Sequence, residues 1–126
     1  MFDSDKASSR SRLNSTKQRL KREFDVGPGF SWVTKGREVE NYLDYDKVEE
    51  SVRTVHPSAS RLLVKGQWEN LLKYKKVRSN SEKSANKVKI ARHYVDTYDA
   101  DLRVLDLDER VTQLCQFISK SNGNQN

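Results

Sequence analysis

The sequence predicts an α/β fold, with several helices, few strands and a helix-rich C-terminal half. Three observations carry that expectation. Phe30-Ser31-Trp32-Val33-Thr34 is a short aromatic and β-branched run flanked by glycines, which reads as a strand. Apolar residues recur at spacings of three and four at several places further on, which reads as helix. Asp3-Ser4-Asp5 follows directly on Met1-Phe2, an acidic pair closing a strand stub.

A serine-containing loop leads from Lys6 into a basic amphipathic helix, about Arg12 to Phe24, with Leu13, Thr16, Leu20 and Phe24 at helical spacing. Gly27-Pro28-Gly29 ends it. After the Phe30 to Thr34 strand, Lys35-Gly36 makes a turn and Arg37 to Leu43 a short helical segment. Asp46 with Glu49 gives a capping-box-like start. Val48, Val52 and Val55 then mark one face of a helix closed by His56-Pro57. Between Arg61 and Val77 the pattern is mixed. Trp68, Leu71 and Leu72 suggest helix, while Leu62 to Val64 fits a short strand or helix.

Ser79 to Asn86 is polar, with several Ser and Asn, and reads as exposed loop. Val88, Ala91, Val95 and Tyr98 define the face of a helix from about Ser84 to Thr97. Asp106 with Glu109 caps a last helix whose buried face is Leu107, Val111, Leu114 and Ile118. Ser121 to Asn126 reads as a disordered tail, so the domain spans 1–120. One strand and a stub do not make a stable sheet. Either other strands are hidden, or the sheet is completed by another chain or by a missing N-terminal part.

A chain of 126 residues is one domain by length. Hydrophobic residues make up 34% and charged residues 33%, so the core is small for the length. A formal charge of +6 favours anionic partners, nucleic acid first. The single cysteine, Cys115, excludes an internal disulfide and sits in an apolar helical pattern that suits a packed, reduced thiol. No run has the apolar length of a membrane span, and the polar N-terminus carries no signal-peptide core. No membrane partner is expected, and the cytoplasm is the expected compartment.

Four places could carry chemistry. In an extended segment Asp3 and Asp5 point the same way, and two carboxylates on one face can share a hard divalent cation. The blander reading is a solvated acidic terminus. Glu38 and Glu40 follow the Phe30 to Thr34 strand, so a parallel arrangement would put them on the same sheet edge as Asp3 and Asp5. As first-turn acids they also suit a helix N-terminus. Lys87 stands at the mouth of a helix, where it could neutralise a phosphate or simply be solvated. The basic helix, with Arg12, Lys17, Arg19, Lys21 and Arg22, could track a phosphate backbone or form a solvated face. His56 and His93 have no zinc-ligand spacing with Cys115, and no phosphate-binding glycine loop is present.

Phe2-Asp3-Ser4-Asp5-Lys6, then Thr16-Lys17-Gln18-Arg19-Leu20, then Trp32 through Leu43 with its run Gly36-Arg37-Glu38-Val39-Glu40-Asn41-Tyr42-Leu43, form an ordered series. Asn86 to Ala91 and Phe117 to Asn122 extend it. The series resembles the C-terminal Toprim nuclease region of ATP-dependent endonucleases related to the OLD (overcoming lysogenization defect) family. The resemblance implies a Rossmann-like Toprim sheet, here partial, and DNA cleavage dependent on Mg²⁺ or Mn²⁺. It implies metal ligation by Asp3, Asp5, Glu40 and Glu38, with Lys87 and Glu40 in catalytic positions. It also implies an early glutamate on a preceding strand and an N-terminal ATPase, neither of which these residues contain. The expectation is therefore a nuclease fragment, inactive alone or completed by an ATPase-bearing homologue or a separate N-terminal half. The alternative is a non-catalytic module that binds nucleic acid through its basic helix, or docks on a partner.

Overall fold

The computed structural model describes residues 1–123, and its fold is mixed α/β. In chain order come α1 (Ser15–Asp25), a 3-10 turn (Val39–Tyr42), α2 (Tyr45–Val55), β1 (Ala59–Leu62), β2 (Lys73–Lys76), β3 (Glu82–Ser84), α3 (Lys87–Thr97) and α4 (Leu107–Gly123). The three strands form an antiparallel sheet in the order β1-β2-β3. The expected Phe30 to Thr34 strand survives only as a parallel bridge between Val33 and Phe2. There the Phe2 N–H donates to Trp32 O at 2.9 Å and the Thr34 N–H to Phe2 O at 3.1 Å.

The core lies between α2, the sheet and α3, where Val48, Val52, Leu62, Leu71, Tyr74, Ile90 and Tyr94 pack together. α2 forms where the valine spacing predicts it. Its cap, however, is Asp44 and not Asp46: the Asp44 side chain accepts the N–H groups of Asp46 and Lys47. Glu49, freed from capping, accepts the Leu62 N–H at 3.1 Å and ties α2 to β1.

The helix suggested by Trp68, Leu71 and Leu72 is absent. Asn70 Oδ1 accepts the Leu72 N–H at 3.0 Å, a side-chain turn that competes with helical bonding. Leu71 is thereby driven fully into the core. Lys73-Tyr74-Lys75 then alternates with period two, Tyr74 inward and the lysines outward, which suits a strand. The expected exposed loop from Ser79 to Asn86 contains β3, exposed along its length and held by backbone pairing alone.

Burial differs from the apolar repeats in α3 and α4, and two burial expectations, for the α4 face and for Cys115, are corrected. In α3 the buried residues are Ile90 and Tyr94, while Val88 and Val95 are about 70% exposed, at 69% and 72%. Ile90 and Tyr94 form their own i, i+4 row, and their larger side chains remove more apolar surface from water than valine or alanine would. α4 has no buried residue: Leu114 and Ile118 are exposed, as is the Cys115 thiol expected to be packed. α4 instead touches the chain through Phe117, whose ring meets Phe30 edge-on at 5.7 Å. The expected tail begins too early, since Ser121 to Gly123 continue α4, and the remaining residues 124–126 lie outside the described part.

Candidate functional site

Residues 2–6 lie along residues 32–39, and a small polar network fixes the two. Ser4 is buried; its N–H donates to Thr34 Oγ1 at 2.8 Å and its hydroxyl to Gly36 O at 2.6 Å. The Thr34 hydroxyl donates to the same Gly36 carbonyl at 2.9 Å. The Asp5 N–H donates to Arg37 O at 2.9 Å. Gly36 is required by space: a Cβ there would lie 2.5 Å from Asn41 Cβ and 2.9 Å from Gln67 O.

This anchoring brings Asp3 against the 3-10 turn. Asp3 Oδ1 accepts the N–H of Val39 at 2.8 Å. The turn is held from below by Asn41, which has no exposed surface. Asn41 Oδ1 accepts the Glu38 N–H at 2.8 Å, and Asn41 Nδ2 donates to Gly66 O and Glu69 O at 2.8 and 3.0 Å. Tyr42 closes it, its hydroxyl donating to Asp106 Oδ1 at 2.6 Å and accepting the Lys35 N–H. Burial first, then the Asp106 bond, push the Tyr42 phenol above its ordinary value.

Glu40 is 7% exposed, an unusual position for a carboxylate. Lys87 Nζ, at the first residue of α3, lies 2.5 Å from Glu40 Oε1. Glu40 Oε2 has no hydrogen-bond partner among the described residues. Contact with Glu40 raises the Lys87 ammonium above its ordinary value, with Asp3 and Glu38 adding to the same field. Glu38 is also shifted upward, first by burial and then by the neighbouring Glu40 carboxylate. Three stretches distant in sequence therefore bring Asp3, Glu38 with Glu40, and Lys87 into one neighbourhood.

Asp5 does not join them. Its φ of 54° turns the chain into the left-handed region, which breaks the i, i+2 alternation of an extended strand. Its carboxylate pairs with Lys17 of α1, and Lys17 Nζ also donates to the Asp3 carbonyl at 2.6 Å. Among the described residues, no three His, Cys, Asp or Glu side chains converge as a metal-holding group.

The basic helix starts at an Asn14 cap, and its charges are partly taken. Arg19 pairs with Glu23 at 3.4 Å, Lys21 pairs with Asp25, and Lys17 is engaged by Asp5. Arg12 and Arg22 make no ion pair among the described residues. Sequence reading missed Ser4, Thr34 and Asn41, whose hydrogen bonds hold the cluster. Their signal was their place between the acids of the two motifs. Among the described residues no helix is long and apolar enough to cross a membrane. Compared with known proteins, the chain matches no family model, no curated protein and no solved structure.

Proposed function

We propose that this chain supplies part of a Toprim-type centre for metal-dependent cleavage of DNA, completed by residues from an ATPase-bearing homologue or a separate N-terminal half. The observation that carries the reading is the buried Glu40, whose Oε1 is ion-paired with Lys87 while neither carboxylate oxygen has a well-formed hydrogen bond among the described residues. Burying a carboxylate is costly unless something compensates it. A site that accepts a cation is one such compensation.

The donor type fits Mg²⁺ or Mn²⁺, since Asp3, Glu38 and Glu40 offer hard oxygen atoms. Asp3, Glu38 and Glu40 do not converge as a metal-holding group among the described residues, which is why completion from outside the chain belongs to the proposal. Only together with donors from the completing partner would Asp3, Glu38 and Glu40 hold the ion, which when bound would neutralise charge on a phosphodiester. Lys87, its head 59% exposed, balances Glu40 and keeps a positive group at the solvent side where a phosphate would approach. Asp5 acts through Lys17, fixing α1 against the Asp3 backbone. The parallel Phe2–Val33 bridge is read as the remnant of the Rossmann-like sheet edge.

Paramagnetic broadening by Mn²⁺ in amide NMR spectra tests this. Broadening is expected at Asp3, Glu38 and Glu40, with affinity on the order of millimolar, as for an open carboxylate site. Glu40→Gln should remove it. Broadening centred elsewhere, or none at saturating Mn²⁺, overturns the site. Micromolar binding by calorimetry, lost in Asp5→Ala, overturns its incompleteness.

A further inference from the structure

A second charged site lies beside the carboxylate cluster, on the solvent face of the sheet. Arg37, Arg61, Lys73 and Lys75 line a cleft of about 460 Å³ there. Its other charged groups are two carboxylates, Glu69 and Glu82. Arg61, Lys73 and Lys75 make no ion pair with any described residue. Arg37 Nε is buried without a hydrogen-bond partner, and its nearest carboxylate oxygen, Glu38 Oε1, is 3.8 Å away.

The sheet register sharpens the point. Arg61 on β1 stands directly opposite Lys75 on β2, which has Glu82 of β3 opposite it on the other side, so the row holds two cations and one carboxylate. Like charges directly opposite across a strand pair destabilise it. An anion between them would relieve that repulsion and would add a counter-charge beside Arg37, which lines the same cleft. Lys73 and Lys75 share a strand face, about 6.8 Å apart along the strand. That is the scale on which phosphates succeed one another along an extended nucleic-acid strand. Among the described residues no aromatic side chain lines the cleft, which suits a backbone rather than bases.

We infer that this cleft is a binding site for the phosphodiester backbone of DNA, and that the sheet face, not α1, is the principal nucleic-acid surface of the chain. The contrast with α1 is one of availability. Lys17, Arg19 and Lys21 form ion pairs with acids, whereas Arg61, Lys73 and Lys75 form none among the described residues, although Glu82 stands across from Lys75. Arg37 also links the two sites. Its N–H is fixed to Gln67 O at 2.9 Å, and its segment continues directly into Glu38 and Glu40. A strand lying in the cleft is thus delivered to the carboxylates, but the cleft itself needs no metal.

Fluorescence anisotropy with a labelled twenty-nucleotide DNA strand, in EDTA at low salt, separates this site from the metal reading. The wild-type chain should bind, with affinity falling steeply as salt rises. The triple variant Arg61→Ala/Lys73→Ala/Lys75→Ala should bind at least tenfold more weakly, with a salt slope shallower by about two to three. It should melt close to wild type, because it removes the Arg61–Lys75 opposition together with the Lys75–Glu82 pair. If it melts lower, Lys73→Gln/Lys75→Gln replaces it in the same assay. The α1 variant Arg19→Glu/Arg22→Glu should change affinity less than threefold. Wild-type affinity in the cleft variants, loss of binding in the α1 variant alone, or absence of binding by the wild type overturns the inference. So does poly-glutamate that displaces the DNA equally well per unit charge, since the cleft would then be a site for acidic peptide.

Discussion

Around α2, the sheet and α3, apolar side chains close on one another until Val48, Leu71 and Val52 lose essentially all contact with water. Around α1 and α4 no side chain is buried, although both helices carry apolar residues at helical spacing. A hollow of about 450 Å³, lined by Tyr42, Tyr94, Tyr98 and Leu107 among others, lies between α3 and the start of α4. The difference teaches that periodicity makes a helix amphipathic but does not provide the surface that covers it. α2 has a sheet and α3 to lean on; α4 has one aromatic contact to Phe30. Stability is therefore concentrated in one half of the molecule. The carboxylate cluster sits on the seam: Lys87 and Glu40 belong to the packed half, while Asp5 and Lys17 belong to the other.

The largest effect should come from the packed half. Leu71→Ala removes a side chain with no exposed surface. It should cost about 2–5 kcal/mol in urea unfolding, the range for a cavity left in a core. A cost below about 1 kcal/mol would mean that this core is loosely packed, and the contrast between the halves would lose its basis.

Gly36→Ala tests the seam. The added Cβ would stand 2.5 Å from Asn41 Cβ and 2.9 Å from a backbone oxygen, and the buried Asn41 has no room to retreat. Overpacking of this kind should cost about 1–3 kcal/mol. The same variant should disturb the Val39 amide that donates to Asp3, which amide NMR reads directly. If Gly36→Ala is neutral, the 3-10 turn moves independently of the core and the site is not anchored as described.

How far the sequence revealed these features depends on the range of the forces involved. α2 was legible because the repeat Val48, Val52, Val55 and the stop at His56-Pro57 are local signals. β2 was not, because Asn70 and the burial of Leu71 decide between turn and helix, and the core that buries Leu71 is assembled from distant segments. On α3 two apolar rows compete, and contact with α2 buries Ile90 and Tyr94 rather than the Val88, Ala91, Val95 row that marks the helix in the sequence. At the site, Asp3, Glu38, Glu40 and Lys87 were legible as residue types. Their meeting depends on the Ser4–Thr34–Gly36 bonds. Asp5 was misplaced because its left-handed φ is set by the Arg37 carbonyl, some thirty residues away in the chain. The sheet-face cations went unnoticed because register, invisible in sequence, sets Arg61 opposite Lys75.

Glu38→Gln should have a smaller effect, with a recognisable dependence on pH. Burial and the Glu40 carboxylate raise the Glu38 pKa in the folded state above its unfolded value. Its contribution to stability is therefore full at pH below the unfolded value near 4.5 and is lost as pH rises through the higher folded value. Replacing it by neutral Gln should stabilise the chain at pH 7, by roughly 0.5 kcal/mol on the scale of isolated charge changes. That gain should shrink towards zero as the pH is lowered past 4. Thermal melts at pH 7 and pH 4 measure it. A loss of stability at pH 7 would show that Glu38 is compensated by a partner, and the field around Lys87 would need redrawing.

The smallest effect is expected on α4, and it is the one best able to break the contrast. Leu114 and Ile118 are 39% and 47% exposed, so replacing either with Ser removes little apolar surface that folding takes from water. Serine is also a somewhat weaker helix former than leucine. Together these terms should leave each variant within about 0.5 kcal/mol of wild type, the usual span for surface changes. Phe117→Ala is the internal control: it removes the ring that meets Phe30 and should cost more than either serine variant. If Ile118→Ser instead costs as much as Leu71→Ala, the outer face of α4 is buried in solution by something other than this fold. A cost that depends on protein concentration would then identify the covering surface as a second copy of the chain, because only association makes stability follow concentration.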